Sequence, residues 1–267
     1  DLVIKDDDLV IGTHGRSFWI LDDITPLRQW RAEVATADLH LFAPQLAFRV
    51  RWNMNTDTPL PPEEPAGQNP PDGAILHYFL KSDVAGLVTL DILDSAGQVV
   101  RTFRSDERKE PWPSDRDIPD YWIRPFQPLL SSAGLHRFVW DLHYPPPRSL
   151  SRSYPISGIL ANTWLEPRGP WVPAGAYTAR LTVNGETREQ TFMVKMDPRV
   201  KAPATALRTQ FDLSMRAWTS MNESAKMLDE VRATRKTLHE ALAREKSAKG
   251  KAALEAADRN IGAFDEA

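Results

Sequence analysis

The sequence contains no cysteine. That absence removes disulfides, thiolate metal sites and cysteine nucleophiles together, while leaving the compartment open, because many exported bacterial proteins also lack cysteine. No run of about 18 apolar residues occurs, so no membrane-spanning helix is expected. The first residues have neither the basic nor the apolar region of a signal peptide. Neither sign of charge dominates: 33 Lys and Arg face 36 Asp and Glu, for a net charge of −3. Nucleic acid is therefore not an expected partner, since it would require a strong local basic patch. Also missing are Gly-x-Ser-x-Gly, a phosphate-binding P-loop, the dinucleotide-binding glycine fingerprint and the zinc-protease helix motif, so no catalytic motif is in hand.

What is present suits a globular protein, with 42% apolar and 26% charged residues over 267 positions, enough for two modest domains. Asp1 to Asp23 reads as three short strands: Leu2 to Ile4, Leu9 to Gly12 after the Asp6-Asp7-Asp8 turn, and Ser17 to Leu21 after the Thr13-His14-Gly15-Arg16 turn. A sheet this small cannot bury Val10, Ile11, Phe18, Trp19 and Ile20 by itself. The chain is therefore expected to be a piece of a longer protein, cut at both ends.

Thr25-Pro26, with Leu27, Trp30 and Val34 behind it, predicts one short helix from about Pro26 to Ala35. Leu39 to Phe42 and Phe48 to Trp52 are extended runs, followed by a proline-crowded stretch from Asn53 to Asp72 that reads as a stiff exposed loop. From Ala74 the pattern has period two, with strands at 74–80, 88–93, 99–103, 134–140, 175–183 and 187–195, and hairpin signals at 94–97 and at Asn184-Gly185. So many strands with no intervening helix pattern predict a β-sandwich. No proline occurs beyond Pro203. Leu207, Phe211, Trp218, Met221, Leu228, Val231, Leu238 and Leu242 predict a helix of about forty residues. A turn near Ser247 to Gly250 leads to a second helix with Leu254, Ala257, Ile261 and Phe264 on one face. The expected fold is mainly β with C-terminal α: three terminal strands at 1–23, a connecting segment at 24–73, a sandwich at 74–198 and a helical hairpin at 199–267.

The run from Asp8 to Asp23, Asp-Leu-Val-Ile-Gly-Thr-His-Gly-Arg-Ser-Phe-Trp-Ile-Leu-Asp-Asp, resembles the closing hairpin of the large bacterial BNR-repeat β-propellers. These are also described as sortilin-like or VPS10-like proteins and as glycosyl hydrolases. Asn69 to Ala74 and Gly169-Pro170-Trp171 resemble later parts of that family. Gly134 to Asp141 and Pro173 to Thr178 resemble the immunoglobulin-like module of flagellar hook-capping proteins. The resemblance covers residues 1 to about 200 and the helices only loosely; the Asp-box that names BNR repeats is not found. It implies an extracytoplasmic protein whose own upstream propeller is the partner of this region. The leading expectation is a non-catalytic accessory role, bracing the propeller and contributing glycan or protein contacts. The alternatives are part of a glycoside hydrolase with its site in the propeller, and a sortilin-like peptide binder.

Candidate chemistry is sparse. His14 and Arg16, with Trp19 nearby, could bind a carboxylate or a sugar ring; the competing reading is a turn whose Arg16 pairs with Asp22 or Asp23. Those two acids, adjacent on a strand, point to opposite faces and cannot flank one glycosidic bond. Asp6 to Asp8 lack the alternating pattern of a calcium loop. The six histidines show no metal-ligand spacing, and no cofactor or metal is implied. His77 and His136 are expected to face outward. Asp141 and His143 beside an aromatic could form a site, against a Trp140 that seals the sandwich core. Trp112, Trp122, Trp164 and Trp171, with Tyr121, lie in loops, where they suit either ligand contact or docking against the propeller. Arg232, Arg235, Lys236 and His239 read as a solvated, ion-paired helix face.

Overall fold

A computed structural model describes residues 1–52, 58–109, 111, 113, 116–149 and 151–262. It is a mixed α/β structure with three antiparallel-based sheets and a C-terminal helical pair. The first sheet has β1 (Leu2–Lys5), β2 (Asp8–Gly12) and β3 (Phe18–Leu21) in sequential order. Positive φ at Gly15 (83°) and Ser17 (61°) turns the chain between β2 and β3, and the Thr13 N–H donates to the Ser17 carbonyl to close it.

The single helix predicted over Pro26 to Ala35 is two one-turn helices, α1 (Thr25–Gln29) and α2 (Ala32–Thr36). The break lies at Trp30, whose backbone is extended because its ring packs on Phe42 and Phe79. The Arg31 guanidinium then donates to the freed carbonyls of Arg28 and Trp30, at 2.9 and 2.8 Å.

Two larger sheets follow. One orders β4 (Leu39–Leu41), β6 (Ala74–Leu80) and β9 (Gly134–Trp140). The other orders β5 (Ala47–Arg49), β11 (Glu186–Met196), β10 (Gly175–Val183), β7 (Val88–Leu93) and β8 (Val99–Arg104). The segment read as a connector thus supplies an edge strand to each sheet: β4 lies antiparallel to β6, and β5 runs parallel to β11. Of the proline-crowded loop, 58–72 carries no strand or helix, and the remainder of that prediction lies outside the described residues.

The sheets share one core because alternate residues of each strand point inward. Leu76, Leu80, Leu90, Ile92, Trp140 and Leu181 are fully enclosed. Trp140 from one sheet meets Tyr177 of the other at 5.5 Å between rings, and Phe138 meets Phe103 at 4.6 Å. Asn184 and Gly185 both take positive φ, as a type I′ hairpin requires. No residue of β1, β2 or β3 belongs to this core.

After Pro203 the chain forms α3 (Ala204–Arg244), an unbroken helix of 41 residues, then α4 (Ala248–Gly262). The turn lies earlier than Ser247 to Gly250. Ser247 Oγ accepts the Gly250 N–H at 3.0 Å and caps α4, so Gly250 is helical. Phe264, predicted on the α4 face, lies outside the described residues.

Candidate ligand-contact site

The structure draws the loops after β9 and before β10 into one cluster. Leaving β9, the chain turns at Leu142 (φ 59°) and runs beside 170–172. The Tyr144 N–H donates to the Pro170 carbonyl and the Val172 N–H to the Leu142 carbonyl, each at 2.9 Å. Gly169 permits that approach: a Cβ there would stand 2.0 Å from the Tyr144 carbonyl oxygen. The pairing sets the His143 and Trp171 rings 3.8 Å apart.

Guanidinium groups cover the loop tryptophans. Arg124 and Arg168 lie over the Trp164 ring at 4.5 and 4.3 Å, and Arg49 lies over Trp171 at 5.5 Å while donating to the Val172 carbonyl. Arg168 also donates to Asp141 Oδ2 at 3.3 Å. Arg124 donates to Asn162 Oδ1 at 2.8 Å, and Asn162 Nδ2 in turn donates to Asp72. Burial pushes the Arg124 guanidinium below its ordinary range, opposed by Asp141 and Asp72 and reinforced by Arg168.

His143 is buried, which lowers it to about 4 despite the neighbouring Asp141. Its Nδ1 is 2.7 Å from the Asp141 carbonyl oxygen and 3.0 Å from the Arg168 guanidinium. A lone pair facing that carbonyl at 2.7 Å would repel it. We therefore assign the proton to Nδ1, donating to Asp141, and treat the Arg168 approach as a contact. Trp140 caps the arrangement from within the core, fully buried, with Nε1 donating to the His143 carbonyl.

Two cavities flank Trp164 and Arg168. One, of about 360 Å³, opens between the outer part of β8, the end of β9 and the loops carrying Arg108, Arg124, Phe126 and Arg152. The other, of about 640 Å³, lies between Trp171, Arg49, His143 and the first half of α3.

The other singled-out residues lie elsewhere. His14, Arg16 and Trp19 stand together on the exposed β2–β3 hairpin, with Trp19 Nε1 donating to the Arg16 carbonyl at 3.0 Å. Arg16 makes no ion pair with Asp22 or Asp23 among the described residues. Trp122 is buried with Ile118 and Ile123, and Gly158 is pressed against its ring, so it packs loops together. Tyr121 meets Trp122 edge-on, and Trp112 lies outside the described residues. Asp6 and Asp7 pair with Lys5 and Arg28. Arg235 and His239 both reach Asp258 of α4 at 3.1 Å, so this part of the basic helix face joins the two helices.

His77 and His136, expected to face outward, are buried. His77 is on the outer face of the β4–β6–β9 sheet and is covered there by another chain segment, whereas His136 shares the inner face with its register partner Tyr78, whose ring lies 5.0 Å away. His136 Nε2 lies 2.6 Å from the Ser132 carbonyl oxygen, and His77 lies against Asp23. Asp23, at φ 59°, accepts the Thr25 N–H and hydroxyl on Oδ1, while Oδ2 sits 3.4 Å from His77 Nδ1 without a hydrogen bond. Arg137 donates to the Asp22 carbonyl at 2.7 Å, and Asp8 accepts the Asp23 N–H. These groups latch the first sheet to the two larger sheets.

Sequence reasoning found Asp141, His143, Trp164 and Trp171 but missed Arg49, Asp72, Arg124, Asn162 and Arg168. The one local signal was arginine interleaved with aromatics in the loops, at Trp122-Ile123-Arg124 and across Trp164, Arg168 and Trp171. Comparison with protein-family models, with curated proteins and with solved structures gives no match. Fold and site together define a mixed α/β protein, not the mainly β one expected, with a two-sheet core and a C-terminal helical pair. Among the described residues no helix is long and apolar enough to cross a membrane.

Proposed function

We propose that this chain is a non-catalytic accessory region of an extracytoplasmic β-propeller protein. In this reading β1 to β3 are propeller strands, the two larger sheets form an immunoglobulin-like brace, and the loop cluster around Trp164 is its ligand-contact face. The first sheet carries the proposal. Leu2, Val3 and Ile4 are successive strand residues, so they point to both faces, yet they are 69%, 58% and 58% exposed. Phe18, Trp19 and Ile20 on β3 are also exposed in succession. Monomeric proteins rarely leave such apolar surface uncovered on two sides. A blade stacked between neighbouring β-structure covers both faces at once, and the Asp23–His77 latch fixes its angle to the brace.

Amide hydrogen exchange compares the 1–267 chain with the full-length polypeptide. In the proposed arrangement β1 to β3 exchange quickly in 1–267 and are strongly protected in the full-length protein, while the sandwich exchanges equally in both. Equal exchange of β1 to β3 in the two would overturn the reading.

A further inference from the structure

We propose that the cavity of about 360 Å³ beside Trp164 is a binding site for a small organic anion that carries its acid group on a ring. This names the ligand class for the contact face proposed above and is independent of how the first sheet is covered.

The charge is the first argument. Arg101, Arg108, Arg124 and Arg168 all line this one cavity, and the carboxylates lining it among the described residues are Asp141 and Glu107. Asp141 is already engaged by Arg168. Arg124 donates to neutral oxygens, the Asn162 amide and the Asp72 carbonyl, and Arg101 donates to the Tyr144 carbonyl. Neutral acceptors satisfy a guanidinium's geometry but not its charge. Arg168 Nε and Trp164 Nε1, both buried, have no acceptor among the described residues. The carboxylates acting here are Asp141, paired with Arg168, Asp72, which acts with Asp141 on Arg124, and Glu107, so among the described residues the four arginines outnumber them. Here positive charge converges in a partly desolvated space, on a chain whose net charge is −3, and an entering carboxylate or phosphate meets charge-assisted donors there.

Shape supplies the ring. A bare ion fills little of this cavity, whose size is in the usual range for organic ligands. Phe126 and Tyr154 supply aromatic wall beside Trp164, with Phe126 exposed at the rim. Aromatic and guanidinium surfaces reward a flat or saturated ring lying against them and add little to the binding of an inorganic ion.

Calorimetric titration of the 1–267 chain at low salt uses glucuronate, 4-hydroxybenzoate, inorganic phosphate and glucose. The two ring anions separate saturated from aromatic ligands. At least one is expected to bind about tenfold more tightly than phosphate or glucose, with affinity falling as salt is added. Phe126→Ala and Arg108→Gln, both at exposed positions, should each weaken it about fivefold without moving the thermal midpoint. Arg124→Gln should weaken it more; should that variant fail to fold, the two rim variants decide. Phosphate or glucose binding as tightly as the ring anions overturns the ligand class. Ring-anion binding that is indifferent to the rim variants overturns the location, and no binding by any probe overturns the site. None of these outcomes alters hydrogen exchange in β1 to β3, so the stacking of the first sheet stands or falls separately.

Discussion

His77 is an imidazole held neutral by burial beside a carboxylate. Removal from water lowers it from an ordinary 6.5 to about 4, Asp23 works the other way, and Arg137 adds to the lowering. His143 is lowered to about the same value, again chiefly by burial. Both groups take up protons more readily in the unfolded chain than in the folded one. Between pH 6.5 and 4 the unfolded state therefore binds more protons, and stability falls as pH falls. Each histidine contributes a slope approaching roughly 1.4 kcal/mol per pH unit in that window, and almost none above it. Urea unfolding between pH 6.5 and 5 should show this dependence, and His77→Gln should reduce the slope by about half. A slope unchanged in that variant would mean that His77 is protonated within the folded protein.

At the scale of the element, α3 presents one half-buried stripe rather than a buried face. None of its residues is fully buried, yet Leu207, Phe211, Ser214, Trp218, Asn222, Ala225, Leu228, Val231, Arg235 and Leu238 are partly covered at three- and four-residue steps. Its first half is tied to the two-sheet core by Arg49 to Gln210 and by Trp218 Nε1 to the Pro145 carbonyl at 2.9 Å. Asn222 and Asp229 both engage Arg148. Beyond Asp229 it is tied to α4, chiefly through Asp258, whose carboxyl is held below its usual range by Arg235 and then His239. The two halves should therefore open separately. Trp218→Ala is expected to speed amide exchange across 207–222 by about tenfold or more while leaving 231–242 unchanged. Uniform acceleration along the helix would show that it moves as one rod.

The helix also shows what sequence can and cannot convey. Its length followed from local periodicity, as did the strands, because apolar spacing reports which face is covered. Met221, assigned to the covered face, is exposed, and Asn222 takes its place because a polar residue there caps the Arg148 backbone. Long-range partners of this kind have no local spacing. The same holds for His77: alternation in β6 put it opposite the core residues, but only the fold brings Asp23, 54 positions earlier, to cover it. Arg124 and Arg168 were invisible for the same reason, being loop arginines whose value lies in convergence on Trp164.

At the scale of the whole molecule, burial is unevenly shared. The core is built by the two larger sheets and their loops, and among the described residues β1 to β3, α3 and α4 contribute no buried side chain to it. The first sheet is held by a few polar contacts at its exit: the Ile24 N–H to the Asp7 carbonyl at 2.7 Å, Asp8 to the Asp23 N–H, Arg28 to Asp7, and Arg137 to the Asp22 carbonyl. Hydrogen bonds of this kind each contribute about 1 kcal/mol net, far less than the apolar burial that holds the two-sheet core. Unfolding of the 1–267 chain should then proceed in two steps, the first sheet opening before the core. Asp23→Ala removes the acceptor for the Thr25 amide and hydroxyl and the carboxylate beside His77, and it places a residue without a polar side chain at positive φ. Native-state exchange should show β1 to β3 opening more readily in this variant, with β6, β9 and β10 keeping wild-type protection. Loss of protection in both regions together would mean that the latch is part of the cooperative core, and the first sheet would then be a structural layer of that core and not a surface offered to neighbouring β-structure.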